Sequence, residues 1–150
     1  MANTFTALHY HVVFSTKHRH PWLRPDAEED VWRYLGGICR SHGIKALQIG
    51  GLEDHVHLLL GVSPTQALSD VVKRIKGESS KWLSNEKAGF TDFAWQDGYG
   101  AFTISQSHIP RTIRYIQNQR QHHAKATFEV EYRQFLHIHE IEADERYIFG

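Results

Sequence analysis

Hydrophobic periodicity along the 150-residue chain predicts an α+β fold. The expected architecture is an antiparallel sheet with helices on one face, in the ferredoxin-like split βαβ arrangement, followed by C-terminal helices. Two observations carry this. Period-two apolar stretches alternate with period-3.6 stretches in the order β-α-β-β-α-β before two further helices. The second and third strand segments also lie close enough in sequence to form an antiparallel hairpin. No linker, low-complexity run or internal repeat interrupts this order, so residues 1–150 read as one domain.

Each element has its own reason. LHYHVVFS, from about Leu8 to Ser15, alternates and is rich in β-branched and aromatic residues, as a strand requires. Pro21 and Pro25 mark a loop, and Asp26, with Glu29 three residues on, reads as a helix N-cap. Val31, Leu35, Ile38 and Cys39 form the stripe of that helix, which Gly43 closes. Ile44 to Gly50 reads as a strand broken by Gly50-Gly51, and His55 to Val62 as a more apolar one ending at Pro64. Thr65 is the expected cap of a helix carrying Leu68, Val71, Val72 and Ile75, with Gly77 as its weak point. Phe93 to Trp95 and Tyr99 to Ser105 look strand-like, with Gly98 and Gly100 turning the chain. Ser107 and Pro110 open a helix running to about His122. A last helix spans roughly Thr127 to His137, and the tail ADERYIFG is a short strand or an ordered arm.

With 41% apolar residues the chain can build a real core. A single cysteine, Cys39, excludes an internal disulfide framework and fits a reducing cytosol. No stretch is long and apolar enough to span a bilayer, and the N-terminus lacks the order of a signal peptide. A cytoplasmic protein without a membrane partner is expected. Seventeen Lys and Arg balance seventeen Asp and Glu, unlike a strongly basic nucleic-acid binder. Basic residues nevertheless gather at residues 17–20, at Lys73, Arg74 and Lys76, and at Arg111, Arg114, Arg120 and Lys125. One basic face and two solvated charge sets are equally consistent with this pattern.

Twelve histidines make about one His-x-His spacing by chance, so context must choose among the four present. His18/His20 beside Pro21 and His137/His139 at the end of a charged helix read as surface residues. His55 and His57 lie on the apolar strand HVHLLL, where alternation points both to one face. Two buried imidazoles need partners. A divalent metal is one solution, and a hydrogen-bonded core pair is the other. His9 and His11 lie on the first strand, a neighbour of the third in this topology, which brings His11 near His57. Tyr115 and Gln119, in RTIRYIQNQRQHH, are four apart and share a helix face. A phenol can attack phosphorus once positive charge lowers its pKa. An amide oxygen can serve as a neutral metal ligand. The alternative is a core aromatic beside a surface glutamine. Arg111, Arg114 and Arg120 around the pair suit a helix lying along a phosphate backbone.

Read together, YHVVFSTKHR, DHVHLLL, IKGESSKWL, WQDGYGAFTIS, YIQNQRQHH and FEVEYRQFL, in this order and spacing, resemble the single-tyrosine transposases of the HUH nuclease superfamily. These are the enzymes of the smallest bacterial insertion sequences and their REP-associated relatives. The resemblance implies that His55 and His57 bind the metal, Mg²⁺ or Mn²⁺, with Val56 as the bulky residue between them. It implies that Gln119 completes the metal site and that Tyr115 is the nucleophile, forming a 5′-phosphotyrosine and a free 3′-hydroxyl. It further implies single-stranded DNA with hairpin ends as substrate, a homodimer and a nucleoid-associated location. Lys73, Arg74, Lys76, Arg111, Arg114 and Arg120 are candidate DNA contacts, as are Trp95 and Tyr99. The competing reading is a non-catalytic nucleic-acid-binding module that retains the ferredoxin-like fold.

Overall fold

The computed structural model describes residues 3–150. Four strands form one antiparallel sheet: β1 (His9–Ser15), β2 (Lys45–Leu52), β3 (His55–Gly61) and β4 (Gly100–Thr103), in the spatial order β2-β3-β1-β4. This is the order of the split βαβ arrangement. The register pairs Val13 with His57 and His11 with Leu59 across the two central strands. Gly50 of β2 lies opposite His57 on the other side.

Alternation along the central strands gives the sheet two different faces. Val12 and Phe14 of β1 and Val56, Leu58 and Leu60 of β3 point to one side. There they meet helix α1 (Pro25–Ser41), through Val31, Leu35 and Ile38, and helix α2 (Leu68–Glu86), through Val71, Val72, Ile75 and Leu83. This is the principal core, and each fully buried aliphatic side chain stabilises it by about 1.5–3 kcal/mol. The C-terminal helices take the other face: α3 (Ile109–Gln117), α4 (Gln119–His123) and α5 (Phe128–Ile138). Leu59 packs there with Ile109 and Ile116 of α3, while Val13 and Phe102 pack with Phe128 and Tyr132 of α5.

Several local details differ from the sequence expectations. α1 starts at Pro25, whose fixed φ suits the first helical position, so Arg24 is the cap and Asp26 falls in the first turn. α2 starts at Leu68 after Ala67, and Thr65 spends its hydroxyl on Ser63 Oγ at 2.8 Å. α2 runs unbroken through Gly77. The stretch before Trp95 forms only an isolated bridge, Thr16 to Trp95. Ser107 lies in a single 3₁₀ turn, residues 106–108, and α3 begins after it. The expected long helix to His122 is broken at Asn118, with φ −100° and ψ 26°. Thr127 caps α5 as a threonine should, accepting from the Val130 amide at 3.3 Å. The tail forms an ordered arm without a strand, and Ile148 is buried in it.

Candidate active site and metal centre

The β2–β3 hairpin sets the site. β3 begins directly after the turn Glu53-Asp54 and presents His55 and His57 to the α3–α5 side. Both rings are fully buried, and Gln119 is 1% exposed. Buried ring nitrogens are costly without partners. Asp54 Oδ1 lies 2.7 Å from His55 Nδ1, which holds a proton there and leaves the Nε2 lone pair facing inward. His123 is oriented the same way, its Nδ1 donating to the Ala126 carbonyl at 2.6 Å. His57 Nδ1 meets His11 Nε2 at 2.8 Å. A proton on that His57 nitrogen leaves its Nε2 lone pair inward too.

What those lone pairs face decides the chemistry. Gln119 Oε1 lies 3.0 Å from His55 Nε2 and 2.9 Å from His123 Nε2. Glu131 Oε1 lies 3.1 Å from both His57 Nε2 and His123 Nε2. Gln119 Nε2 donates to the Tyr115 carbonyl at 3.3 Å, which keeps the amide oxygen turned inward. Acceptors therefore converge on acceptors, an arrangement that positive charge must hold together. Spacings of 2.9–3.1 Å suit neighbouring ligands of one ion, since bonds of about 2.1 Å put them about 3 Å apart. The ligand atoms of His55, His57, His123 and Glu131 all lie within 4.8 Å of one another. The donor set thus fits a divalent cation. Its imidazole content suits Mn²⁺ better than Mg²⁺, which favours oxygen ligands and water.

Electrostatics agree with this arrangement. Burial pulls the pKa of His57 down to about 4, only partly opposed by Glu131, so the ring is neutral and ligand-ready. Burial likewise lowers that of His11. Burial works against protonation of His123, but the hydrogen bond and charge of Glu131 outweigh it and raise its pKa. For Glu131 itself, burial is outweighed by the surrounding imidazoles of His123, His57 and His55, which hold the carboxyl well below the usual range. Tyr115 donates its hydroxyl to Glu131 Oε2. Burial, then the charge of Glu131, pushes its pKa well above the ordinary phenol value. Its ring sits 5.7 Å from that of His57 within the same chain.

The structure thus brings His55, His57, Gln119 and Tyr115 to one place, although a helix break separates the last two. His11 stands behind His57. The basic candidates do not converge. Arg111 and Arg114 are exposed on α3, the helix of Tyr115. Arg120 is engaged by Glu28 at 2.8 Å and Glu53 at 3.3 Å. Lys73 and Arg74 are exposed on α2, across the sheet from the site. Lys76 donates to the carbonyls of Gln96 and Gly98 at 2.6 Å each. Trp95 is a core residue, donating its Nε1 hydrogen to Ser79 Oγ at 2.9 Å.

Sequence reading missed Asp54, His123 and Glu131. For Glu131 a signal exists: it lies in the stripe formed by Phe128, Tyr132 and Phe135, where an acid interrupts an otherwise apolar helix face.

Comparison with known proteins identifies the family. The family model for IS200-like transposases matches residues 4–119. The ISDra2 transposase TnpA of Deinococcus radiodurans is 30% identical over 118 residues, covering 75% of this chain and 84% of the relative. The transposase of insertion sequence element IS200 from Salmonella typhimurium is 27% identical over 125 residues, covering 79% and 81%. A crystal structure of a proposed transposase from Deinococcus radiodurans R1 superposes with a TM-score of 0.61 at 27% identity, over 78% of this chain and 94% of that one. The structure of a REP-associated tyrosine transposase bound to a REP hairpin gives a TM-score of 0.61 at 12% identity, over 79% and 70%, a likeness of fold. With the family model matching most of the chain and a relative 30% identical over three quarters of it, this chain belongs to the IS200-like transposase family.

Proposed function

We propose that the chain cuts and rejoins single-stranded DNA through a covalent intermediate on Tyr115, with a divalent metal, Mn²⁺ or Mg²⁺, held by His55, His57 and Gln119. The observation that carries this reading is the convergence of two buried imidazoles, an amide oxygen and a phenol on one face of the sheet. Membership of a transposase family supports strand transfer as the activity. The hairpin bound to the REP-associated relative supports hairpin-ended DNA as the substrate.

In this reading the phenol oxygen of Tyr115 attacks the scissile phosphorus and the bond from phosphorus to the 3′-oxygen breaks. The proton lost by the phenol ends on that oxygen. The products are a 5′-phosphotyrosine and a free 3′-hydroxyl. A different 3′-hydroxyl reverses the step, so the phosphodiester energy is conserved and no external source is needed. A divalent cation at the histidines would polarise the phosphate and stabilise the charge that develops on it. Asp54 and His11 orient the two imidazoles, and Glu131 aims the Tyr115 hydroxyl. Arg111 and Arg114, on the helix of the nucleophile, are the basic residues best placed to hold the entering strand. A homodimer follows from the family resemblance, although every donor named here comes from one chain.

The test is incubation with hairpin-flanked single-stranded DNA and Mn²⁺, followed by denaturing gel electrophoresis. A covalent protein–DNA band is expected for the wild type and none for Tyr115→Phe. No adduct on DNA that the wild type demonstrably binds defeats the catalytic reading. An undiminished band from Tyr115→Phe defeats the assignment of the nucleophile.

A further inference from the structure

We infer that His123 and Glu131 are themselves metal ligands, and that Glu131 joins the metal to the nucleophile through its two oxygens. The inference rests on the metal-dependent reading above and extends it to residues beyond the segment matched by the family model, 4–119.

Glu131 is 1% exposed, on the apolar face of α5. A carboxylate in such a place is costly unless positive charge accompanies it. Among the described residues its ion-pair partners are all imidazoles: His55, His57, His122 and His123. No Lys or Arg is among them, so no permanently charged side chain balances the carboxylate. A divalent ion among the inward-facing nitrogens does. The two carboxylate oxygens divide the work. Oε1 faces His57 and His123 at 3.1 Å and His55 at 3.5 Å. Oε2 accepts from Tyr115. One oxygen is thus placed on the metal side and the other on the nucleophile side, so Glu131 acts as ligand and as positioning residue for Tyr115.

His123 makes the parallel case. Its Nδ1 is committed to the Ala126 carbonyl, and its Nε2 lies 2.9 Å from Gln119 Oε1 and 3.1 Å from Glu131 Oε1. His55 Nε2 faces the same two oxygens at 3.0 and 3.5 Å, and His57 Nε2 faces the Glu131 oxygen at 3.1 Å. Three imidazoles, one carboxylate and one amide oxygen make a nitrogen-rich, singly charged set. Such a set selects Mn²⁺ over Mg²⁺.

The test uses the full chain loaded with Mn²⁺ alone. Electron spin-echo modulation of the wild-type protein counts the coordinated imidazoles, and three are expected. Isothermal titration should give Glu131→Gln and His123→Ala an Mn²⁺ dissociation constant at least about tenfold weaker than wild type. A count of two imidazoles with wild-type affinity in both variants overturns the inference while leaving the His55/His57/Gln119 site standing. A wild-type chain that binds no Mn²⁺ overturns both. The spin-echo count needs no variant, so a substitution that unfolds the chain does not blunt the test.

Discussion

The two faces of the sheet are built from the same two strands and do opposite things. On β3, Val56, Leu58 and Leu60 point into the aliphatic core under α1 and α2, while His55 and His57 point into the polar cluster under α3–α5. β1 repeats the pattern, with Val12 and Phe14 on one side and His11 on the other. One face gains its stability from non-directional burial. The other needs every lone pair aimed, because each buried polar atom has to find its partner. The lesson is that strand alternation lets one ribbon carry both stability and chemistry, with only a peptide unit between them.

This difference between the faces predicts separable losses. The largest is expected at His57→Ala, which should reduce Mn²⁺-dependent adduct formation on the order of a hundredfold or more, since it removes a ligand outright. Gel quantitation of the covalent product checks it, and an active variant would break the comparison. Next door, Leu58→Ala should destabilise the fold by about 2–5 kcal/mol through a cavity. Denaturant unfolding reads that loss, and the folded fraction should bind Mn²⁺ as the wild type does. If Leu58→Ala instead abolishes Mn²⁺ binding in folded protein, the two faces are coupled.

Gly50 sharpens the picture because it serves the site by having no side chain. A Cβ there would lie 2.9 Å from Ile116 Cγ2 and 3.0 Å from the Ile116 carbonyl oxygen, so Gly50→Ala must push α3 outward. The expected cost is about 1–3 kcal/mol. Because α3 carries Tyr115, the adduct rate should also fall, by up to about a hundredfold for a displacement of about 1 Å. Single-turnover kinetics measure it. A smaller effect concerns the charges. Replacing Arg111 and Arg114 by Ala should weaken single-stranded DNA binding and flatten its salt dependence by about 0.7 for each phosphate no longer neutralised. The same change at Lys73 and Arg74, across the sheet, should leave the slope unaltered. Fluorescence anisotropy against salt distinguishes the pairs. The smallest effect is at Cys39, on the buried face of α1, where burial pushes the thiol up to about 11. It should react with a thiol reagent only after unfolding.

Much of this is legible in the chain. The alternation of HVHLLL assigns the histidines to one face, and the split βαβ order puts His11 beside His57, where the register indeed brings the first and third strands together. The spacing of Tyr115 and Gln119 predicts neighbours on a continuous helix. They do converge, but across the break at Asn118. Local periodicity does not show that break, because the contact that draws Gln119 inward is tertiary: its partner His55 lies on β3. The basic residues mislead in another way. A cation looks available in sequence until its partners are known, and Arg120 and Lys76 are both occupied, by carboxylates and by backbone carbonyls. Glu131 escapes a reading of α5 by its boundaries, since only its position as the odd member of an apolar stripe gives it away.

The side-to-side alternation of β3 also constrains how such a gene can change. Replacing one amino acid alters one wall of the molecule and leaves the opposite wall alone. Deleting a single codon within the strand would send every later side chain to the wrong side, with leucines facing the phenol and an imidazole pressed into oil. This stretch should therefore tolerate point mutation far better than any shift in its length.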